Sequence, residues 1–183
     1  MQDLIYIFLL YSIFSITEWT VHKYLMHSKF DISLSNDHWI HHRHTKDDMK
    51  LSNGKNYNKE INIYRGLYFT WKTSIYVFFV AFLLSLCLRY FVYIPLIRST
   101  GYTLIFIYYQ SSMWNTVHPE IHDVHYKFTL KDGIPPNKYY KSLPYYNFLI
   151  RNHIKHHEIK GENKGNYNVT LPLADFILGS YNF

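Results

Sequence analysis

GLYFTWKTSIYVFFVAFLLSLCL, residues 66–88, decides the fold class. As an α-helix it would extend about 34 Å, more than the ~30 Å thickness of a bilayer's hydrocarbon core. Its one charge, Lys72, stands near an end, where the alkyl stem can carry the ammonium to the interface. Two neighbours resemble it. LIYIFLLYSIFSITEWTV, residues 4–21, carries no charge before Glu18. GYTLIFIYYQSSMWNTV, residues 101–117, is slightly short alone and draws in part of residues 91–97, with Pro95 and Gly101 shaping a tight turn before it. Asp3 and the lack of an early lysine or arginine argue against a cleaved signal sequence. The expected fold is all-α: a single domain over residues 1–183, an integral membrane protein with about three spans and a helical cap.

Charge gives this arrangement a direction. Arg89 and Arg98 fall between the second and third segments, none of the 19 Lys and Arg precedes the first, and nearly all the rest lie on the opposite side. The positive-inside rule makes that side cytosolic, with residues 22–65 and 118–183 on it. A multi-pass protein of the endoplasmic reticulum is expected if the cell is eukaryotic. The net charge of +6 comes without a run of five basic residues or a basic helix face, so nucleic acid is not an expected partner. Cys87 lies inside an apolar run and has no second cysteine to pair with. LSNGKNYNKE, residues 51–60, reads as a polar loop from its Asn-Gly turn.

The twelve histidines form four clusters, all on the predicted cytosolic side. HKYLMH holds His22 and His27, and HWIHH holds His38, His41 and His42 with His44 just beyond. HPEIHDVH holds His118, His122 and His125, and HIKHH holds His153, His156 and His157. On a helix, residues three and four apart share a face, so each HxxHH presents three imidazoles together. The last cluster should be helical from about Tyr145, with Pro144 in its first turn, to a stop near Gly161. His22 and His27, five apart, would diverge on a straight α-helix, so the helix must end or distort there. Pro119 disfavours helical geometry at His118, which should end its span while His122 opens a new turn.

Ten or more imidazoles held together cannot all be protonated, and neutral imidazole is the commonest metal ligand. One ion takes about four to six ligands, so ten imply two ions. Imidazole suits zinc, copper, iron and nickel alike. At a membrane surface such a site can meet a lipid rising from the bilayer. Breaking an unactivated C–H bond there requires a redox metal and dioxygen, which zinc does not supply. The Glu-x-x-His pairs of soluble di-iron bundles are missing from the sequence.

HKYLMH, HWIHH, HPEIH and HIKHH, in this order and interrupted by a membrane hairpin, resemble the histidine signature of the fatty acid hydroxylase superfamily, which includes sterol desaturases. GNYNVTLPLADFILGSY, residues 165–181, is similar to the family's tail. The resemblance runs from about Glu18 to Tyr181. It implies a membrane-bound di-iron, oxygen-dependent lipid hydroxylase or desaturase, acting on a fatty acyl or sterol-like lipid. Electrons would come from NAD(P)H through an external reductase and cytochrome b5, since no His-Pro-Gly-Gly haem motif is fused to the chain. Carried over by position, the metal ligands would be His22, His27, His38, His41, His42, His118, His122, His153, His156 and His157. His44 and His125 fall outside the boxes, although the third box also offers the register HDVH. Members commonly have four spans, one more than the three expected here.

Glu18, Asp37, Asp123 and Asp175 are candidates to receive the outward N–H of ligating rings; each reads equally as a solvated interfacial charge, and Asp175 alternatively as a residue that caps or orients a terminal helix. Tyr108, Tyr109 and Trp114 could wall a lipid path, or belong to the interfacial belt. The alternative function is a non-catalytic or zinc-holding membrane protein on the same scaffold, zinc being also an ion that could replace iron on purification. A metal transporter would place histidines within the spans, which this sequence does not do.

Overall fold

The structure is a computed structural model that describes residues 1–29, 32–51, 67–124, 128–159 and 164–182. Helix α1, Gln2–Thr20, continues without a break into a π-helix, Val21–Met26. Then come α2 (Ser33–His44), α3 (Trp71–Val92), α4 (Leu96–Ile121), a 3-10 turn (Lys138–Ser142), α5 (Pro144–Glu158) and α6 (Leu173–Ile177). Among the described residues no strand forms; Thr45 and Leu51 make one isolated antiparallel bridge. From residue 52 the expected Asn-Gly loop lies outside the described residues, as does His125.

Helices α1, α3 and α4 pack on one another as a bundle. Tyr6, Leu10 and Phe14 of α1 meet Ala81 of α3 and Ile107 of α4 in its core. Two helices combine the length and apolarity needed to cross a membrane: Gln2–Met26, with mean hydropathy 1.6, and Trp71–Val92, with 2.2. The outward face of α3 is apolar, with Phe79, Leu83 and Phe91 exposed. Helix α4 contains the third expected segment and is longer than either, at 26 residues, but falls short in hydropathy. Several polar side chains along its middle are turned inward. Ser111 and Ser74 hydroxyls meet at 3.0 Å, Gln110 donates to Glu18 at 3.3 Å, and Asn115 bonds the backbone of Phe69 and Ile134.

The turn between α3 and α4 closes at Tyr93–Pro95. Tyr93 takes the left-handed conformation, φ 55, that commonly ends a helix, and Pro95 caps α4. Gly101 plays no part in that turn; it lies inside α4 with open space around it. Helix α5 begins with Pro144 in its first turn, as expected, and Tyr146 and Leu149 pack on Met113, Trp114, Val117 and Ile121 of α4.

Residues 164–182 return as a strap across α1 and α5. Glu18, buried on α1, accepts from the backbone N–H groups of Val169 (2.6 Å) and Thr170 (2.8 Å) and from the Thr170 hydroxyl (2.7 Å). Asn168 donates to the Ser15 carbonyl, and Asn152 of α5 donates to that of Asn168. Gly165 is required by close approach: a Cβ there would stand 2.0 Å from the Ser180 carbonyl oxygen. The strap and the C-terminal ends of α1, α2, α4 and α5 enclose the histidines.

Candidate metal centre

The ten histidines expected as ligands come together, in two groups of five. His22, His27, His38, His42 and His156 form the first; His41, His118, His122, His153 and His157 form the second. Within each group one nitrogen per ring lies within 4.8 Å of all the others. Each HxxHH is divided between them. On α2, His38 and His42 serve the first group and His41 the second. On α5, His153 and His157 serve the second and His156 the first. Every group therefore takes two rings from one HxxHH helix, one from the other, and a private pair from a third element. His44 is half-buried at the end of α2 and belongs to neither group.

The private pairs show how the backbone answers the spacing. On an α-helix, positions five apart lie about 140° apart in projection. The π-helix over Val21–Met26 removes that divergence: the N–H of His27 donates to the His22 carbonyl at 3.1 Å, an i→i+5 bond. The two rings stack with centroids 5.2 Å apart. His118 and His122, four apart, need no such device. Contrary to expectation, α4 runs through His118 and Pro119 to Ile121 without a new start. Burial of His118 against the Leu67 carbonyl outweighs the local bias of a residue before proline, and the bond lost at Pro119 falls close to the helix end.

The metal-facing nitrogens crowd one another. His38 Nε2 lies 3.1, 2.9 and 3.0 Å from the Nε2 atoms of His22, His27 and His42. His27 and His42 approach His156 at 3.0 and 3.3 Å. In the second group His157 Nε2 lies 3.3 Å from His41 and 3.1 Å from His153, while His118 Nε2 and His122 Nε2 are buried without a hydrogen-bond partner. One ring nitrogen offers a single proton or a single lone pair, so His38 Nε2 cannot satisfy three such neighbours by hydrogen bonding. Donors about 2.1 Å from a common ion stand roughly 2.9–3.4 Å apart. The observed spacings match those edges, and the residues fit a metal.

Four rings have their tautomer set from outside. His22 Nδ1 donates to the Tyr167 carbonyl, His156 to Gly165 at 2.8 Å, His118 to Leu67 at 3.0 Å and His122 to Met49 at 2.7 Å. A neutral imidazole that gives its Nδ1 proton outward presents a bare Nε2 inward. These receivers are backbone carbonyls, and none is one of the candidate carboxylates. Glu18 holds the strap and Asp175 its turn, Asp123 pairs with Lys50 at 3.1 Å, and Asp37 is half-buried on α2. The carbonyls carry no side-chain signature, and only Gly165 left a trace in the sequence.

Burial, followed by the field of the neighbouring rings, holds His38, His41, His42, His153 and His157 well below the usual imidazole pKa. His156 and His118 are held down in the same way, burial again leading. His122 falls to about 4 and His27 to about 2, burial being the chief cause in both. At neutral pH these rings are neutral, the form that binds metal.

Trp114 packs against both groups, its ring 6.5 Å from His22 and 5.1 Å from His118. Tyr109 packs on Tyr140 at 6.0 Å, and Tyr108 is exposed. An open cleft of about 630 Å³ reaches one ring of each group, His42 and His157, with Arg43, Lys46 and Lys164 among its walls. Compared with models of known families, with curated proteins and with solved structures, the chain matches none.

Proposed function

We propose that this chain is a membrane-embedded, oxygen-dependent oxidoreductase whose ten histidines hold two iron ions and which hydroxylates or desaturates a lipid. The observation that carries this reading is the pair of adjacent five-histidine groups at one end of helices long and apolar enough to cross a membrane. Five nitrogen donors exceed the four that close a structural zinc site, and leave one place of an octahedron for an external ligand. That count favours a redox ion open to oxygen over a zinc-holding scaffold.

The iron pair, when bound, would supply the activation of dioxygen. For hydroxylation the balance is R–H plus O2, two electrons and two protons, giving R–OH and water. The electrons would come from NAD(P)H through an external reductase and cytochrome b5. The chain's own part is to hold and insulate. Nδ1 bonds to four carbonyls orient the rings, burial shields the second group from water except at His157, which the cleft reaches, and Trp114 packs against both groups. Lys and Arg placement would set the centre on the cytosolic side, where a fatty acyl or sterol-like chain can rise from the bilayer.

The test is lipid mass spectrometry under ¹⁸O2 of cells expressing the chain or its His156→Ala variant. A lipid gaining one labelled oxygen, or a new double bond, only with the intact chain is expected. Identical lipid profiles from a chain that retains two ions would favour the zinc-holding alternative.

A further inference from the structure

Each histidine group contains one ring whose outward N–H is received by a peptide unit that is itself bonded to a carboxylate. In the first group the Tyr167 carbonyl accepts from His22, and the N–H of that same peptide, carried by Asn168, donates to Asp175 Oδ2 at 2.8 Å. In the second, the Met49 carbonyl accepts from His122 at 2.7 Å, and the N–H of its peptide, carried by Lys50, donates to Asp48 Oδ1 at 3.1 Å. A carboxylate that draws on a peptide N–H polarises the unit and makes its carbonyl a better acceptor, because hydrogen bonds in a chain strengthen one another. A better acceptor behind an imidazole raises the basicity of the nitrogen facing the metal. We infer that Asp175 and Asp48 are positioning residues that tune the two metal positions separately, each through one intervening peptide. This rests on the metal-binding part of the proposed function and not on the oxidation of lipid.

The two relays differ in strength. Asp175 is fully buried, and its carboxylate also receives the Tyr167 N–H at 2.9 Å and the Ser180 hydroxyl at 2.8 Å. Those three partners are all donors, which is the company an ionised carboxylate keeps. Its field acts through a medium of low dielectric. Asp48 is exposed, and water and salt screen it. Met49, whose carbonyl receives His122, holds a left-handed backbone, φ 64.

The experiment uses the full chain in detergent, titrated with Co(II), in two backgrounds. His118→Ala impairs the second group and His27→Ala the first. Asp175→Asn should weaken cobalt binding about 10- to 100-fold and shift the ligand-field absorption bands in the His118→Ala background, and change neither in the His27→Ala background. Asp175→Glu should recover part of the loss. Asp48→Asn should do the reverse, weakening only the second group by about two- to threefold and losing the effect near ~1 M salt. Equal weakening of both groups, weakening without a spectral shift, or no effect of Asp175→Asn would overturn the inference while two bound cobalt ions left the metal reading standing. Should Asp175→Asn not fold, Asp48→Asn decides: a loss confined to the second group supports the relay, and none at low salt overturns it. Absence of cobalt binding in the unsubstituted chain would overturn both readings.

Discussion

The two histidine groups are built by one rule and finished differently. Both draw two rings from one HxxHH helix and one from the other, yet the first takes its private pair from a π-helix at the end of an apolar helix, and the second from the regular end of α4. All five rings of the second group are buried; in the first, His27 and His42 are only half-buried. The first is clamped by strap carbonyls at Gly165 and Tyr167, the second by Met49 and Leu67 on either side of residues 52–66. Shared helices tie the positions of the two sites together, while separate clamps allow each to be adjusted without the other.

The largest effect that would break this comparison comes from removing one ring. His38→Ala deletes the nitrogen that three others approach, and His153→Ala deletes a buried member of the second group. Each should reduce the metal content from about two ions per chain to about one, with an affinity loss beyond the roughly 10- to 100-fold typical of outer partners. Metal analysis of the purified variants checks it. Loss of both ions from either variant would show one cooperative site instead of two.

Acid should separate the groups less completely. Rings whose folded pKa lies below the unfolded value of about 6.5 bind more protons when unfolded, so stability is fully present above that pH and falls as pH drops toward the folded values. With His122 near 4, the window is about pH 6.5 to 4, at about 1.4 kcal/mol per pH unit for each titrating ring. Metal retention followed through that window should show the second ion released at higher pH than the first, because His122, near 4, takes a proton before His27, near 2. Simultaneous release would remove the distinction between the two groups.

A smaller effect is expected from deleting Lys23. The deletion leaves His22 and the former His27 four apart, the spacing that His118 and His122 use on α4. The π-turn should regularise to α-helix, with both ions retained and the first ion's affinity changed by less than about tenfold. Circular dichroism and metal content read it. Loss of the first ion would mean that the π-turn positions more than this pair.

Much of this was legible in the chain because histidine at HxxHH spacing declares both a helix face and a chemistry. The five-residue gap from His22 to His27 even announced that regular helix had to fail there, though it could not say that a π-turn would be the remedy. The division of each HxxHH two-to-one between sites was hidden, since it depends on how α2 and α5 face each other across the centre. So were the clamps: a carbonyl belongs to every residue, and only the fold decides that Tyr167 and Met49 turn theirs inward. Helix α4 is a different case. Residues 101–117, the third expected span, do lie in one 26-residue helix, and its Gln110, Ser111 and Asn115, engaged in contacts inside the bundle, keep its hydropathy below that of the two helices apolar enough to cross. The carboxylates Glu18 and Asp175, candidates for direct contact with the rings, stand one peptide or more away from them.

The most direct test of the central claim is metal analysis of the purified, detergent-solubilised chain grown with iron in the medium. Two ions per chain are predicted, falling to about one in His38→Ala and in His153→Ala. A chain that folds with its helical content intact and carries less than one ion would contradict it.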